Sequence, residues 1–145
     1  NGMKHVIQKL LNSEIQAYFI PKDKVFWSYE EDRGKELKEE YLNLLEDTAF
    51  PLCPRGKGLN SIRFFESLRL GRIPVLISDD TKLPLEGMLN YDDFVVRVPE
   101  SEVGLADEYI AKWISKNDIT KASSMAQEIS NDFFEDPEKF IKQHL

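Results

Sequence analysis

Residues 50–80, FPLCPRGKGLNSIRFFESLRLGRIPVLISDD, leave few choices of fold. The apolar run Ala49–Cys53 stops at Pro54-Arg55-Gly56-Lys57-Gly58, and a second apolar run, Ile73–Ile77, lies some way beyond. Between them the pattern predicts a helix of about twelve residues. Strand, glycine turn, helix and strand within roughly 30 residues is the shortest unit that joins two parallel strands. The first turn of such a unit is where doubly wound sheets hold phosphates. Glycines let the backbone come close there, and the helix start offers unpaired N–H donors.

Charge supports an anion site at the same place. Residues 54–72 hold Arg55, Lys57, Arg63, Arg69 and Arg72 against the single acid Glu66, a local +4 in a chain of net charge −7, so the other 126 residues carry −11 between them. A pI near 4.9 argues against a general nucleic-acid binder, which needs an extended basic surface. The 145 residues suffice for one domain, 1–145, with its own core. Asn1-Gly2, ahead of Met3, read as an expression remnant. No apolar stretch approaches the roughly 18 residues that a spanning helix needs, and the start lacks a signal-peptide pattern. One cysteine, Cys53, excludes an internal disulfide, and a cytoplasmic location is expected.

Along the chain, Met3–Leu11 has helical spacing, Ile15–Ile20 reads as a strand stopped by Pro21, and Val25–Tyr29 is a short β candidate. Gly34–Glu46 predicts an amphipathic helix, with Leu37, Tyr41, Leu44 and Leu45 on the apolar side and a solvated Glu-rich face opposite. After the central unit come a loop at Leu83-Pro84, a short turn over Met88–Tyr91, and a strand over Phe94–Val98. Helices are expected over Leu105–Ser115, Ile119–Phe134 and Pro137–Leu145. This order implies an α/β fold: a mostly parallel sheet flanked by helices, with a helical C-terminal tail from residue 105.

On the central helix, Phe64, Leu68, Phe65 and Ile62 fall within an arc of about 160°, with Arg63, Glu66 and Ser67 opposite. If the apolar arc packs on the sheet, those three look outward. Arg63 and Glu66 are helical neighbours, and on spacing alone a solvated ion pair worth a few tenths of a kcal/mol is the simpler reading. The functional alternative has the Arg63 fork on a diphosphate and Glu66 on two ribose hydroxyls. Asn60 and Ser61 suit either a helix cap or direct phosphate contact. Gly56 and Gly58 are a weak phosphate signal, because no third glycine completes the dinucleotide fingerprint. A nucleoside-triphosphatase loop would need a lysine-serine ending, which is missing.

The string as a whole resembles the exostosin-like family of glycosyltransferases. Cys53-Pro54, Gly56, Gly58, Ser61, Arg63, Glu66, Leu68 and Gly71 stand where that family's pattern has them. So do Ile73-Pro74-Val75, Asp79-Asp80, Leu83-Pro84 and Val96 with Val98. Departures are Ser67 for the usual alanine, Leu85 for phenylalanine and Tyr91 for tryptophan. The likeness is strong over 48–100 and looser over 34–134.

The resemblance implies a Rossmann-like domain, the C-terminal donor-binding half of a GT-B enzyme that transfers a sugar with inversion from a nucleoside diphosphate sugar. By motif position, Ser61 and Arg63 would hold the diphosphate and Glu66 the ribose. Arg55 and the turn bearing Gly56, Gly58 and Asn60 would line the phosphate end. Arg63 would stabilise the leaving diphosphate. The donor is expected to be UDP- or GDP-linked and the acceptor a glycan. No cofactor is required beyond the donor, and Mg²⁺ is not expected. An N-terminal acceptor domain or partner chain would complete the enzyme and supply the base. The rivals are a module that binds nucleotide or glycan without turnover, and a structural α/β domain with a vestigial site.

Elsewhere the bland readings are the simpler ones. Asp79-Asp80 read as a turn, although Mg²⁺ ligation is the alternative, and Asp92-Asp93 read as a strand-entry turn. Cys53 is expected to be an inert core thiol and Trp27 and Trp113 core aromatics, with Arg69 and Arg72 packed by their stems on the surface. Pro74 is expected at the first residue of its strand, with a cis bond left open. His5 and His144 lie too far apart in sequence to suggest a shared site.

Overall fold

A computed structural model describes residues 31–55 and 61–135, with 138 and 142. The elements expected over Met3–Leu11, Ile15–Ile20 and Val25–Tyr29 lie outside the described residues, as does that over Pro137–Leu145 apart from residues 138 and 142, which are helical; Trp27, His5, His144 and the turn bearing Gly56, Gly58 and Asn60 lie outside them too. Helix α1 spans Glu31–Glu46, β1 Leu52–Pro54, α2 Ile62–Arg69, β2 Val75–Ile77, β3 Val96–Val98, α3 Ala106–Lys116 and α4 Ile119–Glu135. Short 3₁₀ segments at Tyr91–Asp93 and Glu100–Leu105 bracket β3.

The three strands pair in the order β1-β2-β3, both pairs parallel, with Cys53 opposite Leu76 and Leu76 opposite Arg97. With helices around it, the sheet forms an α/β, Rossmann-like fold. Each strand is only three residues long, shorter than the apolar runs that announce them. Prolines explain part of this: Pro51, Pro54 and Pro74 have no N–H to give to a ladder. Their carbonyls still pair, Pro51 accepting from Val75 N at 2.9 Å and Pro74 from Val96 N at 3.0 Å. Pro74 therefore lies just before β2, one residue earlier than the strand start expected of it, and no described peptide bond is cis. β2 is buried along its whole length, as a central parallel strand covered on both faces should be.

Helix α2 has eight residues, not twelve, and it ends at a Schellman cap. Gly71 N donates to Leu68 O at 3.0 Å and Arg72 N to Ser67 O at 2.8 Å, with Gly71 at φ +67°. The buried side is also turned from the expected one. Phe64, Ser67 and Leu68 face inward, while Ile62 is 75% exposed. At 100° per residue that is a rotation of roughly 90°. Ser67 is tolerated inside because its hydroxyl donates to Arg63 O at 2.6 Å, one turn back. It also meets Cys53 Sγ at 3.8 Å, so the side chain here must be small.

Helix α4 packs on α2, and its Ala122, Ala126 and Ser130 are buried. Ser123 Oγ donates to Gly71 O at 2.6 Å, joining α4 to the α2 cap. A Cβ on Gly71 would lie 3.0 Å from that hydroxyl oxygen, on a backbone already in the left-handed region. Gly71→Ala is therefore expected to cost about 1–2 kcal/mol, read as a lower denaturant midpoint with an unchanged slope. Helix α3 lies against β3, with Ile110 and Trp113 buried. Trp113 Nε1 donates to Asp92 O at 2.8 Å, and its ring meets Phe50 edge-on, which makes it the core aromatic expected of it.

Candidate functional site

Parallel pairing brings the carboxyl ends of all three strands to one edge of the sheet. Arg55 follows β1 there, and its backbone N–H donates to Ile77 O at 3.2 Å. Its Nε lies 2.6 Å from Glu100 Oε1, just past β3. Asp79, after β2, accepts from Glu100 N at 3.1 Å. The edge thus gathers one cation and two acids, joined by contacts that sequence distance hides. Asp79 and Asp80 occupy an exposed bend, and among the described residues no group of three His, Cys, Asp or Glu converges as metal ligands would. Asp92 and Asp93 form the 3₁₀ turn that leads to β3.

Ser61 opens α2 with extended backbone angles, φ −109° and ψ 119°, and its hydroxyl makes no capping bond. Its carbonyl accepts from Phe64 N at 3.1 Å. An N-cap hydroxyl normally satisfies a first-turn N–H, so a capless start keeps donors for another acceptor.

One turn on, Arg63 and Glu66 form no ion pair with each other, which sets aside the simplest reading of their spacing. Tyr41, from α1, engages both. Its hydroxyl donates to Glu66 Oε2 at 2.6 Å, and its ring lies 5.7 Å from the Arg63 guanidinium carbon. Arg63 Nη1 also donates to Leu52 O, on the outer strand β1, at 3.2 Å. Arg63 is exposed and Glu66 half-buried. Burial, and then the bond to Glu66, push the Tyr41 phenol up to about 12, so it stays a donor through the neutral range. Sequence reasoning placed Tyr41 only on an apolar face and missed Glu100 altogether. The signal in Tyr41 was its hydroxyl, whose partner is 25 residues away.

Cys53 is fully buried beneath this face, and burial pushes its thiol up to about 12. It is expected to resist thiol reagents in the folded protein and to react only on unfolding. In the unfolded chain it ionises near its ordinary value, 9.0, so its contribution to stability is intact below pH 9 and is lost between about 9 and 12. Tyr41 and Tyr91 add to the same alkaline loss from their ordinary 10.0 upward. A denaturation series from pH 8 to 12 should show it.

Among the described residues no helix is long and apolar enough to cross a membrane. The profile of the Exostosin GT47 domain matches residues 5–112. The chain is 37% identical over 109 residues to the Exostosin-1 homolog of Caenorhabditis elegans, covering 70% of this chain and 28% of that protein. It is 37% identical over 71 residues to Exostosin-1 of Drosophila melanogaster, covering 49% and 9%. With Exostosin-1 of Bos taurus it shares 26% identity over 110 residues, covering 76% and 15%. The chain thus spans little more than a quarter, and in places under a tenth, of the relatives it matches. It belongs to the exostosin GT47 family and is a glycosyltransferase-family domain.

Proposed function

We propose that residues 1–145 form the donor-binding domain of an inverting glycosyltransferase, which takes a UDP- or GDP-linked sugar and passes the sugar to a glycan hydroxyl. The observation that carries this reading is the separation of Arg63 from Glu66. A cation and a carboxylate one helical turn apart, held by Tyr41 and not by each other, suit a ligand with an anionic end and a diol end. In this reading the diphosphate sits at the α2 start. The Ser61 hydroxyl and first-turn N–H groups donate to it, Arg63 grips it with its planar fork, and Arg55 with Gly56, Gly58 and Asn60 borders it. Glu66 accepts from the ribose hydroxyls.

The acceptor oxygen attacks the anomeric carbon on the face opposite the diphosphate. The bond from that carbon to the phosphate oxygen breaks, and its electron pair leaves with the diphosphate. Arg63 and the helix start stabilise the charge that builds there, which removes the need for a metal. The acceptor's proton passes to a base contributed by an N-terminal acceptor domain or partner chain.

Calorimetric titration with UDP, GDP, ADP and their sugar conjugates, with and without Mg²⁺, tests the donor site. Saturable binding of one diphosphate, independent of Mg²⁺, is the expected result. Absence of binding by any of them to a folded chain would overturn the donor role. Transfer on adding an acceptor half would separate an enzyme from a binding module.

A further inference from the structure

Tyr41 belongs to α1, outside the strand–helix–strand unit, yet it touches both polar groups on the outer side of α2. We infer that Tyr41 is the positioning residue of the nucleoside end of the site, its hydroxyl fixing the rotamer of Glu66 so that the carboxylate meets a ribose diol. This rests on the donor-binding reading above. A carboxylate offers about four lone-pair positions. The Tyr41 hydroxyl takes one on Oε2, at 2.6 Å, and among the described residues no hydrogen bond to Oε1 is formed. The brace thus spends one side of the carboxylate and leaves the other for a pair of hydroxyls.

Partial burial and a ring contact support the brace. The phenol is half-buried, and Leu37 and Leu45, one turn to either side of it on α1, are buried. Its ring also backs the Arg63 guanidinium at 5.7 Å, so one side chain sets the spacing of the cation and the carboxylate. A diphosphate and a ribose are joined covalently at a fixed distance, and a site for both gains by holding its two partners at a matching one.

The test compares Tyr41→Phe with the unsubstituted chain, using UDP, GDP and inorganic pyrophosphate as probes. Phenylalanine keeps the ring behind Arg63 and removes only the hydroxyl. Affinity for whichever nucleoside diphosphate binds is expected to fall about five- to tenfold, within the range for one lost hydrogen bond. Pyrophosphate, which has no ribose, should bind as before. In a Glu66→Gln background the Tyr41→Phe loss should shrink to less than twofold. Unchanged nucleotide affinity in Tyr41→Phe would overturn the inference and leave the donor site standing. Tighter binding would overturn it too, by showing that the hydroxyl masks Glu66. Equal losses for nucleotide and pyrophosphate would mean that Tyr41 only holds the two helices together. No nucleotide binding by the unsubstituted chain would overturn the donor reading and the inference with it.

Discussion

Replacing Phe64 with alanine is expected to cost about 3–5 kcal/mol of stability, the range for emptying an aromatic site in a packed core. Phe64 is 1% exposed and is one of the bulkiest fully buried side chains. It meets Phe65 edge-on at 5.2 Å, so its loss removes an aromatic contact as well as apolar burial. Against a total stability of roughly 5–15 kcal/mol, such a change leaves a large unfolded fraction. Ile62→Ala, two residues earlier on the same helix, is expected to shift stability by no more than about 0.5 kcal/mol, because that side chain is 75% exposed. Urea denaturation of both variants checks the pair. Similar costs would mean that α2 packs with a different face.

Arg63→Ala is expected to weaken nucleoside diphosphate binding by about 1.5–3 kcal/mol, or roughly ten- to 150-fold, the range for a hydrogen bond from a charged group. Its cost to stability should be far smaller. The side chain is exposed, and its contacts are one 3.2 Å bond to Leu52 O and the Tyr41 ring, together worth about 1 kcal/mol or less. Arg63→Lys keeps the charge and loses the fork, so it should recover only part of the affinity. Calorimetry on folded variants reads these effects directly. Unchanged affinity in Arg63→Ala would remove Arg63 from the diphosphate site while leaving the fold untouched.

The backbone plan was legible because local chemistry announces it. Pro54 and Gly71 bound the helix between β1 and β2, apolar runs mark all three strands, and amphipathic spacing marks α1. Apolar periodicity placed Leu37, Leu45, Phe64 and Leu68 inside, where they are. It failed for Ile62 and Ser67. In a helix of eight residues, three or four apolar side chains are too few to set the angle of the buried face, and size decides instead. The space between α2 and Cys53 admits the hydroxyl of Ser67, which bonds its own helix, and Ile62 is left in the open at the first turn.

The candidate site divides in the same way. Arg55, Ser61, Arg63 and Glu66 could be picked out along the sequence, because each stands close to the glycine turn that opens α2. What each of them touches could not be read there. Arg55 meets Glu100 only because parallel register brings the ends of β1 and β3 to one edge. Tyr41 reaches Glu66 and Arg63 only because the fold brings this one residue of α1 beside α2. The sequence by itself determined the order of elements, the prolines that shorten the strands and the glycine that ends α2, since these depend on near neighbours and backbone angles. Only the tertiary structure decided which side of α2 is buried and that a tyrosine stands between its arginine and its glutamate. Those outcomes depend on shape and distance between segments far apart in the chain.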